Sequence, residues 1–144
     1  MDSRLESFLL GKWLNLSLRY LGYSVILMAL FFAQLYLVGN SEMGNSSGLL
    51  MSPLGATVSA IILAGRHTYR NDGILLSIVV AVIITSGYSL YGVATLTHPQ
   101  PDYGLLTGVG TAILYGVPIG TVSSTVVFAL RRFSPKQSPV AEKK

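Results

Sequence analysis

The chain has 144 residues, of which 51% are apolar and only 11% charged, and its mean hydropathy is +0.57. Soluble domains carry about a quarter charged residues, so this composition points away from a water-soluble domain and towards a chain solvated largely by lipid. The lack of cysteine excludes a disulfide framework, a thiolate metal site and a cysteine nucleophile, and the net charge of +4 is informative through its distribution rather than its sum.

The segment 1–19 comes first. Leu5, Phe8, Leu9, Trp13 and Leu16 share one helical face, whereas Leu10 and Leu14 fall on the other. This pattern fits an interfacial helix with Trp13 at headgroup depth, or a plain extension of the span that follows. The first apolar run, about 20–39, is longer than a signal-peptide core, and Leu37-Val38-Gly39 is a poor cleavage site, so an uncleaved anchor is expected. The loop GNSEMGNSSG (39–48) holds the sequon Asn45-Ser46-Ser47.

A second apolar run covers about 48–65 and ends in RHTYRND, which reads as a loop carrying His67. The third covers about 74–96. A second loop, THPQPDY (97–103), precedes the fourth run, about 104–130, and the tail 131–144 is basic and rich in Pro and Ser, as disordered segments are. Each run can cross a bilayer core of about 30 Å as a helix, which needs roughly 20 residues, and none alternates like a barrel strand. Pro118 lies inside the fourth run and predicts a kink there.

The charges set the expected orientation. Arg4, Lys12 and Arg19 precede the first run, Arg66 and Arg70 lie between the second and third, and Arg131, Arg132, Lys136, Lys143 and Lys144 follow the fourth. Those are all 10 Lys and Arg, and the other two loops have none. The positive-inside rule then predicts an all-α polytopic protein of the cell membrane with four transmembrane helices and both termini cytoplasmic. Arg131 and Arg132 would meet anionic lipid heads.

Candidate chemistry is sparse. None of the four runs contains Asp, Glu, Lys, Arg or His away from its edges. That argues against a proton-coupled pump, a voltage sensor and the small multidrug-transporter pattern with a carboxylate in its first span. Glu42, His98 and Asp102 could share a metal only across two loops, and prolines break the spacing between the last two. No nucleophile motif, zinc helix or phosphate loop is present, so no catalytic residue, cofactor or resident metal is expected, nor any nucleic-acid partner. The most polar positions at depth are Gln34, Ser86, Tyr88, Tyr91 and Tyr115, which would line a path if there were one. The other hydroxyls fit helix-to-helix hydrogen bonds.

Small residues form two ladders at every fourth position: Gly48, Ser52, Ala56, Ala60 and Ala64 in the second run, and Gly104, Gly108, Ala112, Gly116, Gly120 and Ser124 in the fourth. Such ladders let helix backbones meet in lipid. A stripe of fours drifts about 40° per step, so the six rungs of the fourth run predict more than one neighbour. PLGATVSAIILAGR (53–66) also aligns with PIGTVSSTVVFALR (118–131), and Gly22-Tyr23-Ser24 with Gly87-Tyr88-Ser89, at a shared offset of 65, which points to a duplicated two-helix hairpin. The function expected from ladders without titratable groups is non-catalytic: a packing or assembly module, or a small accessory subunit, partnered by the bilayer and by itself or other membrane subunits. The second expectation is a small oligomeric channel or uncoupled transporter for a small solute.

Overall fold

Uninterrupted apolar runs without breakers become helices, and the computed structural model, which describes residues 13–39, 53–95 and 104–133, contains four of them. They are α1 (Leu14–Gly39), α2 (Pro53–Asn71), α3 (Ile74–Thr95) and α4 (Leu105–Phe133). No strand occurs among the described residues. By length and composition α1, α3 and α4 can each cross a membrane. The last two turns of α2 carry Arg66, His67, Thr68, Arg70 and Asn71, which keep it out of that group.

Several boundaries differ from the expected ones. Helix α1 begins at Leu14, so the residues leading up to Arg19 are helical and continuous with the first run. Helix α2 opens on Pro53, where the missing N–H costs nothing. It then continues through the segment expected as a loop, because nothing between Arg66 and Asn71 breaks a helix. His67 is therefore a helical residue, not a loop residue. The helix stops at Asp72, whose φ of 57° is left-handed, a conformation that Asp tolerates better than most side chains. Helix α4 runs unbroken through Pro118, an exposed position, and ends three residues beyond the expected 130, with Arg131 and Arg132 beside its negative dipole end.

Helix α3 is the hub: α1 and α2 pack on it, α4 packs on it most extensively, and α4 also packs along α2. The core is shallow and built from Tyr20, Phe31, Val80, Ala81 and Ile84 with Ala56, Ala60 and Ala64 of α2. Large apolar side chains such as Ile26, Leu30, Leu106, Leu114 and Leu130 face outwards, as they do in a bundle whose surroundings are as apolar as its interior.

Close backbone approach explains the thin core. A Cβ on Gly116 would lie 2.5 Å from the Cα of Val82, and one on Gly120 2.6 Å from the Cα of Ile78. A Cβ on Gly108 would meet a methyl of Val93 at 2.6 Å. Ala112 is buried between these rungs, and its carbonyl accepts a 3.1 Å bond from the Thr85 hydroxyl. Gly104, at the mouth, meets nothing within 4 Å. Rungs 108 to 120 thus follow α3, and the drift brings the last rung, Ser124, round to α2, where it meets Thr68. In the second ladder Ala56, Ala60 and Ala64 are buried, while Gly48 and Ser52 lie outside the described residues. The α1–α3 crossing rests on Gly87, where a Cβ would sit 2.6 Å from the Met28 carbonyl oxygen.

The aligned segments do not occupy equivalent surroundings. Pro53 starts a helix whereas Pro118 lies inside one. Gly22 faces open space whereas Gly87 is pressed against α1.

Candidate functional site

Two features gather polar side chains. The first is a buried cluster at the end of the bundle that carries Arg19, Arg66, Arg70 and Arg131, and all four helices contribute to it. Ser17 comes from the start of α1, His67, Thr68 and Asn71 from the end of α2, Ser77 from the start of α3 and Ser124 from α4; each is 0–1% exposed. Burial of so many polar atoms is tolerable only if they bond to one another, and no buried side-chain nitrogen or oxygen among the described residues lacks a partner.

Asn71 anchors the network. The Trp13 N–H donates to its Oδ1 at 2.7 Å, and its amide donates to the Trp13 carbonyl at 3.2 Å. This reciprocal pair fixes which end of the amide is which. The same Nδ2 donates to Ser17 Oγ at 2.6 Å and faces His67 Nε2 at 3.3 Å. Ser17 Oγ also lies 3.3 Å from Nε2, so the ring is held between Ser17 and Asn71 on one side and Ser77 on the other. Nδ1 pairs with Ser77 Oγ at 2.7 Å, and the Ser77 hydroxyl also donates to the Gly73 carbonyl at 2.8 Å. The Thr68 hydroxyl joins Ser77 at 2.8 Å and Ser124 at 3.0 Å. Tyr20 closes the cluster edge-on, its ring 5.2 Å from that of His67.

His67 lies beyond the apolar run 53–65, level with the arginines. Burial lowers its pKa below the ordinary 6.5, opposed in part by the Gly73 carbonyl. Both ring nitrogens are occupied and sealed from solvent, so the Ser77–His67 pair holds helices together and has no access to a substrate proton. The linkage has a definite sign. An unfolded chain protonates His67 near pH 6.5 while the folded one resists, so the stabilisation is complete above that pH and is lost as pH falls towards the lowered value. Melting temperature in detergent is expected to drop as pH falls below the ordinary 6.5, and the drop is expected to be smaller in His67→Gln.

The second feature is a cavity of about 260 Å³ between α2, α3 and α4 in the opposite half of the bundle. Its walls are Ala56 and Thr57 from α2, Thr85, Tyr88 and Ser89 from α3, and Thr111 and Tyr115 from α4. Most of the wall hydroxyls turn away: Thr85 bonds the Ala81 and Val82 carbonyls, Ser89 that of Thr85, and Thr111 that of Thr107. The polar groups left to the cavity are chiefly the phenols of Tyr88 and Tyr115, both exposed residues. Of the expected path-lining residues the structure brings these two together. Ser86 is bonded back to Ile83 on its own helix at 2.7 Å. Gln34 is half-buried on α1, Tyr91 is half-buried near the end of α3, and neither joins the cavity wall.

Sequence reasoning missed the cluster, although a signal for it existed. The ladder Ala56, Ala60, Ala64 continues one step to Thr68, which puts Thr68, with His67 and Asn71 beside it, on the buried face. Among the described residues no three His, Asp or Glu are gathered as metal ligands would be. Asn45, Glu42, His98 and Asp102 lie outside the described residues. No family model, no curated protein and no solved structure matches the chain.

Proposed function

We propose that the chain is a four-span integral membrane protein of the cell membrane with both termini cytoplasmic, and that it serves as a non-catalytic packing module or small accessory subunit of a membrane complex. Support for the fourth span is the position of Ala56, Ala60 and Ala64 of α2 in the common core beside α3 and α4. Support for the orientation is the gathering of Arg19, Arg66, Arg70, Arg131 and Arg132 at one end of the helices.

One observation carries the role. The ladder residues Gly108, Gly116 and Gly120 lie against α3, and the hydroxyls of Thr68, Ser124 and Thr85 join helices within this one chain, which supports a rigid bundle rather than a working site. On the outer face of α1 the small residues Gly22, Ala29 and Ala33 are exposed beside Ile26. That face suits a further transmembrane helix.

The chain has no native cysteine, so single cysteines report cleanly. Ile26→Cys is expected to cross-link to a partner helix or second copy in native membranes, and Leu114→Cys on α4 is not. A cavity with two phenols favours the second reading, a channel or uncoupled carrier. That reading prevails if neither cysteine cross-links and reconstituted vesicles show a solute flux lost in the Tyr88→Phe/Tyr115→Phe double variant.

A further inference from the structure

We propose that the groove between α2 and α4 binds one anionic phospholipid, with its phosphate at Arg66 and Arg131 and an acyl chain laid along Ile61, Pro118, Val122 and Val126. The inference rests on the membrane-spanning reading above. Two adjoining clefts make up the groove. At the basic end a cleft of about 330 Å³ is bordered by Arg66, Tyr69 and Arg131. Beneath it a trough of about 380 Å³ runs between Ile61 on α2 and Pro118, Val122 and Val126 on α4. Val127 belongs to both, and a Cβ on Gly65 would touch its methyl at 3.3 Å, so the helices close together at that point and floor the groove.

The chemistry changes sharply along this line. The trough offers almost no polar surface, because its one hydroxyl, Ser123, donates to the Ile119 carbonyl at 2.7 Å. The head cleft is cationic. Arg131 stacks over the Tyr69 ring, 5.7 Å from its centroid, and pairs with Asp72. That acid cancels one charge, and Arg66 supplies a second guanidinium, exposed at the edge of the cleft. A ligand with a negative head and a long apolar body fits both parts. Inorganic phosphate would leave the trough empty, and a neutral head would leave the excess cation unpaired.

Length agrees as well. Arg131 and Pro118 are separated by about 20 Å of helix at 1.5 Å per residue. One leaflet, from headgroup to midplane, is about 20–22 Å deep. Basic clefts between helices at the headgroup level are known receivers of anionic heads.

The test uses the full chain extracted from membranes in a mild detergent and read by native mass spectrometry. Dioleoyl phosphatidylglycerol is expected to be retained at one per chain, at least 10-fold more than dioleoyl phosphatidylcholine. Arg66→Gln and, separately, Val122→Trp, which fills the trough, are each expected to cut that retention about 10-fold. Both positions are exposed, and unchanged melting temperatures certify the fold. Equal retention of the two lipids, or retention indifferent to both substitutions, overturns the proposal. So does full competition by inorganic phosphate or by a short-chain phosphatidylglycerol, which would mean a head site without a chain site, and so does a dimer that occupies the groove. Failure of the membrane reading itself would register earlier and separately, as recovery of the chain without detergent.

Discussion

Gly116→Leu is expected to be the most disruptive single substitution on α4. Even the first added carbon would lie 2.5 Å from the Val82 Cα and 2.8 Å from the Thr85 hydroxyl. A backbone atom cannot rotate aside, so α3 and α4 must separate. Separation would also break the bond from Thr85 to the Ala112 carbonyl. Overpacking of this kind costs about 1–3 kcal/mol for a small intrusion and more for a large one. Alanine at the same place is expected to lose up to about 2 kcal/mol, because the roughly 1 kcal/mol a helix gains when Gly becomes Ala offsets part of the clash. Gly110→Ala supplies the opposite sign. Nothing lies within 4 Å of that position, so only the propensity gain remains, and stability is expected to rise. Thermal unfolding in detergent checks all three. Wild-type melting by Gly116→Leu would contradict the packing of α3 on α4 described here.

Asn71→Ala is expected to cost about 1–3 kcal/mol, because it breaks bonds in a buried cluster, although the Trp13 carbonyl keeps its bonds from Leu16 and Ser17 and Ser17 Oγ keeps the His67 ring. The substitution removes the acceptor of the Trp13 N–H and the donor to both the Trp13 carbonyl and Ser17. Its effect is local to the junction of α1 with α2, so hydrogen exchange at the amides of Trp13 to Ser17 is expected to accelerate ahead of that in α3. Combining it with Ser17→Ala is expected to cost less than the two separate losses, because the two side chains share one bond. Additive losses would mean that the cluster does not act as a unit.

The apolar runs of α1, α3 and α4 are legible in composition because a membrane-length stretch without charges has few other uses. The rungs Gly108, Ala112, Gly116 and Gly120 are legible because close approach along a whole helix must repeat every turn. Gly87 is not, since it permits a single crossing and its necessity lies in the Met28 backbone on another helix. The cluster around His67 stayed hidden for a different reason. Charged and polar residues at the end of α2 have the composition of a loop, and only the bonds from Ser17, Ser77 and Ser124 make that turn an interior one. A similar limit applies to α2. Its first part, 53–65, reads as a span with a packing ladder, whereas its last turns are polar and their burial depends on neighbours that the run itself cannot reveal.

The link between α2 and α3 is only Asp72 and Gly73. On the four-span reading this has a consequence for biosynthesis. Arginine and other charges are expensive to pass into a bilayer, less so near the ends of a helix, so α2 alone is a weak candidate for insertion when it leaves the ribosome. Helix α3 follows at once, strongly apolar and unable to stray. The translocation machinery therefore receives the two as one hairpin, with the arginine-flanked bend held back on the side of synthesis. His67 meets Ser77 in the same event that carries both helices across.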